Sequence, residues 1–263
     1  MGEFTASLPA HPTEKPSIPD WEKRDSWSGD QTYSEARVNL FKGDAKAIRV
    51  SEKLLEKLEA DGIELAGARW SNARVGAFPC VPAFIAGSPD SMYAMEDSPS
   101  DVAPVKIFMD LAVSGGFGAD VMAARGTAVL ALARKLQAVR PVEIWVFASM
   151  YGEDKNDGTG ECSIPVVKLD TSPMDLATVG YALANPAFFR KLFFAWAADD
   201  NRGYQGSWAW ERRDLRANLT KHLRVGADDM LIDGGYLDDD LVKRPVEWVN
   251  AQVRKYASVV GEE

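Results

Sequence analysis

The run Val105 to Ser114, VKIFMDLAVS, constrains the fold more than any other stretch, because an apolar strand closes on an acid, Asp110, and a hydroxyl, Ser114, follows. Gly115, Gly116 and Gly118 come next, and beyond them Val121, Val129, Leu132 and Leu136 mark one face of a helix that begins near Asp120. Strand, glycine-rich turn and helix in that order put Asp110 and Ser114 at the carboxyl end of a strand. That is where open α/β sheets gather their ligands.

The downstream pattern extends the sheet. Pro141 breaks the chain, EIWVFAS from Glu143 to Ser149 predicts a second buried strand, and Ile164 to Leu169 predicts a third. The polar link between them, with Asn156, Asp157 and Gly158 as turn residues, favours an antiparallel hairpin over a crossover. Asp175 is placed to cap a helix through Ala184, and Pro186 opens another to about Ala198 whose Phe188, Phe189, Leu192, Phe193 and Trp196 suit a core. Asp214 to Leu223 reads as helix and Asp228 to Gly235 as a strand ending in acid. Pro245 sits in the first turn of a closing helix with Val246, Val249 and Val253 inward.

Upstream, residues 1–30 are rich in Pro, Ser, Thr and charge and read as a flexible arm, with Trp21 and Trp27 in want of a partner. That partner is either the parent domain or a second subunit. Residues 31–104 read as a helix, Asp44 to Ala60, followed by an irregular extension of turns and short strands, and residues 105–263 as the α/β core.

Composition narrows the chemistry. The chain has 263 residues, 46% of them hydrophobic and 26% charged, enough for a sizeable core without disulfide staples. Two cysteines and two histidines, widely scattered, cannot form a zinc motif, and they leave little for histidine acid–base or cysteine nucleophile chemistry. No apolar run approaches the roughly 18 residues of a membrane span, and the N-terminus lacks a basic segment followed by an apolar one, so the expected location is cytoplasmic. No base, nucleophile and orienting group stand at persuasive spacing, and the expectation is a protein without enzymatic activity.

With acids or hydroxyls at strand ends and one antiparallel strand, the core resembles the von Willebrand factor A fold over about residues 103–236. That family's adhesion site follows its first strand with an Asp-x-Ser-x-Ser run. The resemblance maps Asp110 and Ser114 onto that run, with Ala112 in place of the middle serine, and adds Thr171 and Asp233. It implies a three-layer mixed sheet with helices on both faces, and a degenerate site at these residues for Mg²⁺, an ion that prefers an octahedral shell of oxygens. No cofactor is required by this reading. The second half is also similar to a group of uncharacterised bacteriophage and bacterial proteins, through ARGTAVLALARKLQ, VEIWVFA, DLATVGYALANPAFFRKL and PVEWV. That similarity implies a phage setting, hence the host cytoplasm, and no activity.

One segment stands apart in a chain of formal charge -9. Between Ser207 and Arg224, Trp208 and Trp210 accompany Arg212, Arg213, Arg216, Lys221 and Arg224. Proteins that bind single strands pair a cationic track with aromatic platforms, because phosphates meet the cations while bases stack on the rings. A solvated helix surface with its tryptophans in the core fits the same residues. The expectation is a phage-type binding protein associated with nucleic-acid machinery, its partner single-stranded DNA or a nucleoprotein complex. The alternative is an adaptor that engages a protein partner through the Mg²⁺-dependent site. No membrane partner is implied, and self-association is left open.

Overall fold

The computed structural model describes residues 4, 8–9, 20–60, 69–75, 78–96, 103–113, 115–137, 140–148, 150–153, 160–163, 165–171, 174–199, 225–226, 228–234 and 240–257. Its centre is a mixed sheet of β4 (Val105–Asp110), β5 (Val142–Phe147), β8 (Val166–Leu169) and β9 (Met230–Ile232), in the order β8-β5-β4-β9. β4 runs parallel to β5 and to β9, while β8 is antiparallel to β5 at one edge. Period-two alternation divides the side chains between the faces. Val105, Ile107, Met109, Val142, Ile144, Val146, Val167, Leu169, Met230 and Ile232 enter the main core. Phe108 and Phe147 point the other way, into a smaller cluster with Val225, with Trp145 packed against it.

Helix α4 (Ala119–Gln137) lies on the first face and is buried along most of its length. Around it pack α2 (Ala45–Ala60), α5 (Leu176–Ala184) and α8 (Pro245–Ala257). α4 and α5 approach backbone to backbone at Gly126, where an added Cβ would stand 2.0 Å from the carbonyl oxygen of Leu183. Apart from the short exposed helix Val81–Ile85, the described helices contribute to the core on this face, and the second face is met among the described residues by Val225.

Asp175 caps α5 by accepting from the N–H groups of Ala177 and Thr178, as its place in the sequence predicts. Its hydrogen bond from the Thr178 hydroxyl, together with those N–H donors, holds the carboxyl below its ordinary range. After Asn185 the chain enters a π-helical turn, Phe188–Phe193, that runs into α6 (Phe194–Asp199). The sequence predicts one continuous α-helix there. The wider turn puts Arg190 and Lys191 inside the protein, a placement taken up below.

Two further elements depart from the sequence reading. Helix α1 (Tyr33–Lys42) forms where no helix is predicted. Thr32 accepts from Glu35 N–H, and the Glu35 carboxylate accepts from Thr32 N–H, which closes a capping box. Thr32→Ala is expected to cost about 1 kcal/mol in denaturant unfolding. The link between the second and third predicted strands is itself a hairpin of β6 (Met150–Glu153) and β7 (Gly160–Ser163), so β8 reaches β5 only after it. The segment after α2 builds a separate antiparallel sheet of β1 (Arg69–Ala73), β2 (Phe78–Pro79) and β3 (Met92–Glu96), with the short helix α3 (Val81–Ile85) between the last two. A short α7 (Asp240–Lys243) leads into α8. Among the described residues no helix is long and apolar enough to cross a membrane.

Candidate functional site

Parallel β4 and β9 end side by side. Ile232 pairs with Met109, so Asp233 lies next to Asp110 in register at the carboxyl edge. Asp110 is fully buried, and its Oδ1 accepts from the N–H of Ala112 at 2.8 Å, a local turn that redirects the chain after the strand. Asp233 is exposed. Behind them Arg125 of α4, only 1% exposed, donates to the carbonyl oxygens of Asp233 and of Gly234, the latter at 2.8 Å. This guanidinium fixes the path of the chain out of β9.

Thr171 does not join this pair. Because β8 is antiparallel, Val166 stands opposite Phe147 and Leu169 opposite Ile144, and the chain leaves β8 toward the start of β5. There the Thr171 hydroxyl donates to the carbonyl of Val142 at 2.7 Å. Val142 and Phe147 mark the two ends of β5, about 16 Å apart at the rise of an extended strand. Thr171 therefore sits at the edge of the sheet opposite Asp110. Ser114 lies outside the described residues, as does the whole segment carrying Trp208, Trp210, Arg212, Arg213, Arg216, Lys221 and Arg224.

Thr171 stands too far from Asp110 and Asp233 to share a magnesium shell with them. Ala112 offers no hydroxyl, and the Asp110 carboxylate already accepts a backbone hydrogen bond in a buried setting. Among the described residues no group of three acidic, histidine or cysteine side chains comes together in a way that would hold a metal ion.

The edge has a second wall that the sequence did not reveal. Residues 20–30, placed in the flexible arm by composition, lie against the π-helical turn and the glycine-rich turn. Arg190 Nη1 donates to the carbonyl of Trp27 at 2.6 Å and Nη2 to that of Phe117 at 2.7 Å, while its guanidinium stacks 4.2 Å from the Trp27 ring centroid. The indole N–H of Trp27 donates to the Gly115 carbonyl at 2.8 Å. Lys191, 2% exposed, donates to the carbonyls of Asp20, Trp21 and Lys23, and its Nζ lies 3.6 Å from Asp25. Both tryptophans of the arm thus pack on their own chain, Trp21 beside Tyr33 and Trp27 beside Phe194.

Electrostatics follow from this burial. Desolvation draws the Arg190 guanidinium down to about 10, against the charge of Asp25, which raises it. Burial alone would raise the Asp25 carboxyl, but hydrogen bonds from Ser28 and the charge of Lys191 outweigh it and hold the group below its ordinary range. The one legible signal for this wall was the pair Arg190–Lys191 set among five apolar residues in AFFRKLF, which periodicity alone assigns to a polar stripe.

Residues 1–232 match the family described as Domain of unknown function (DUF7192), and the chain belongs to it. No curated protein and no solved structure matches the chain.

Proposed function

We propose that this DUF7192 chain is a non-enzymatic binding protein with a von Willebrand A-like core, and that it engages a protein partner at the carboxyl edge of its main sheet. The observation that carries the reading is the strand arrangement. Parallel β5, β4 and β9, with antiparallel β8 beyond β5, bring Asp110, Asp233 and the glycine-rich turn to one edge, where α/β sheets present strand ends and loop backbone to ligands. Gly115, Gly116 and Asp233 are exposed there. The contact needs no metal. It rests on loop backbone and on the Asp233 carboxylate.

A photo-crosslinking side chain at Gly115, where an added Cβ meets open space, tests this in cells. The expected result is a discrete protein adduct at position 115 that Asp233→Lys abolishes, with none from the same probe at Lys168 on the antiparallel edge strand. Absence of an adduct at 115, or equal labelling at 168, overturns the reading.

A second reading is favoured by the pairing of Trp208 and Trp210 with the five cations that follow them. In it the chain binds single-stranded DNA in a phage-type nucleoprotein complex. Fluorescence anisotropy with a labelled single strand and a duplex control is expected to show binding that prefers the single strand and weakens steeply with salt. Arg213→Ala and Trp208→Ala are each expected to weaken it about tenfold. No binding at low salt would remove this reading.

A further inference from the structure

The segment between Asp20 and Gln31 is held unequally along its length. Its first part is fixed by the buried Lys191 cation, which takes up the carbonyls of Asp20, Trp21 and Lys23, and by Trp21, which is buried against Tyr33. Its far end is fixed by the capping box at Thr32. Between these two anchors the chain folds on itself: Ser28 N–H donates to Asp25 Oδ1 at 2.7 Å, Gly29 N–H to the Ser26 carbonyl at 3.3 Å, and Asp30 N–H to the Asp25 carbonyl at 2.8 Å. That small turn carries Trp27. The indole reaches across to the glycine-rich turn through the Gly115 carbonyl.

The backbone at the end of this turn is unusual. Gly29 has φ +77° and Asp30 has φ +57°, two successive left-handed residues, and Asp30 is the one non-glycine with positive φ among the described residues. Glycine adopts that region freely and aspartate more readily than most residues with a Cβ, so this joint is the part of the turn best able to change conformation. An added Cβ at Gly29 would stand 3.3 Å from Pro186, so the joint is also pressed against the chain just before the π-helical turn.

We propose that Ser26–Asp30 is a hinged strap whose Trp27 clasps the glycine-rich turn at the carboxyl edge of the sheet, and that it swings about Gly29–Asp30 while the Lys191 clamp and the Thr32 cap stay in place. Opening is feasible for Arg190. When Trp27 leaves, the guanidinium loses the Trp27 carbonyl and ring but keeps the Phe117 carbonyl, and water enters where the strap had lain. No cation is stranded in a dry interior. Closed, the strap holds the Gly115 carbonyl through the Trp27 indole, so strap and partner compete for that backbone group. That last consequence rests on the docking reading above; the opening itself does not.

Hydrogen exchange on the full chain tests the opening. The amides of Ser28, Gly29 and Asp30 are expected to exchange at least about 100-fold faster than those of Ile107 and Ile144 in β4 and β5, because the strap opens below the global unfolding limit. In Trp27→Ala the peptide spanning residues 115–118 is expected to exchange about tenfold faster, with β4 and α4 unchanged. Trp27→Phe, which keeps a ring but loses the N–H donor, is expected to fall between. Strap amides that exchange only at the global rate, or loss of protection in α4 along with the turn, would overturn the proposal and make Trp27 a fixed part of the core. Crosslinking from Gly115 in the Trp27→Ala background then separates the two ideas. An increased adduct supports competition. Fast strap exchange with no adduct leaves the strap standing and removes the docking reading.

Discussion

Gly126→Ala is expected to destabilise the protein by about 3 kcal/mol or more, seen as a lower denaturant midpoint with an unchanged slope. The Cβ would lie 2.0 Å from the Leu183 carbonyl oxygen, 2.3 Å from its carbon and 2.4 Å from the Ala184 Cα. All three are backbone atoms of α5, so no side-chain rotation relieves the overlap. The two helices must separate, and the surrounding core of Val129, Leu130, Val179 and Leu183 opens with them. Alanine gains about 1 kcal/mol of helix propensity over glycine, too little to offset that loss. Gly115→Ala is the matched control: its Cβ meets open space, and the change is expected to be neutral within about 0.5 kcal/mol. Equal effects at the two positions would mean that the α4–α5 contact is looser than the structure has it.

Lys191→Met is the second large effect, expected at about 3–5 kcal/mol, the usual cost of stranding the partners of a buried charge. Methionine is of similar length, but the carbonyls of Asp20, Trp21 and Lys23 lose this donor and the Asp25 carboxylate loses the Lys191 cation. Asp25→Asn separates the charge from the fixture. It keeps an acceptor for Ser28 N–H, and its cost is expected to be smaller, about 1 kcal/mol. The two also differ in acid. Asp25 is depressed in the folded protein, so its contribution to stability is full above the ordinary carboxylate range and is lost as the pH falls through the folded value. The charged groups facing it are Lys191 and Arg190 of the π-helical turn. Unfolding measured between about pH 5 and pH 2 is therefore expected to fall less steeply for Asp25→Asn than for the parent chain. Identical slopes would show that the carboxylate is not held by its neighbours.

These two sites show what sequence made legible and what it did not. The core strands and α4 could be read because apolar periodicity reports burial directly: Val105, Ile107 and Met109 alternate, and Val129, Leu132 and Leu136 recur at helical spacing. Asp175 was legible as a cap because the side chain serves a local backbone need. Helix α1 carried a local signal too, Thr32 and Glu35, but the polar composition around it masked the helix. Long-range facts left no such trace. That Thr171 leaves β8 at the wrong edge for Asp110 follows from an antiparallel pairing delayed by the β6–β7 hairpin, not from spacing. The burial of Arg190 and Lys191 left no pattern to read because their acceptors are main-chain oxygens, and every residue has one of those.

That last point bears on how a chain of this family can change over time. Arg125, Arg140, Arg190 and Lys191 are buried cations whose hydrogen bonds go to the carbonyls of residues 20, 21, 23, 27, 103, 117, 233, 234 and 256. A carbonyl is the same whatever side chain stands above it. The hydrogen bonds to these carbonyls ask for a backbone path, while Trp27 is held by its ring as well, so the loops that flank the sheet are free to drift in sequence where the main chain alone is gripped. The constraint falls on the four cations instead. In diverged relatives that keep this fold, the surface that meets other molecules can be rewritten with little penalty to the frame beneath it.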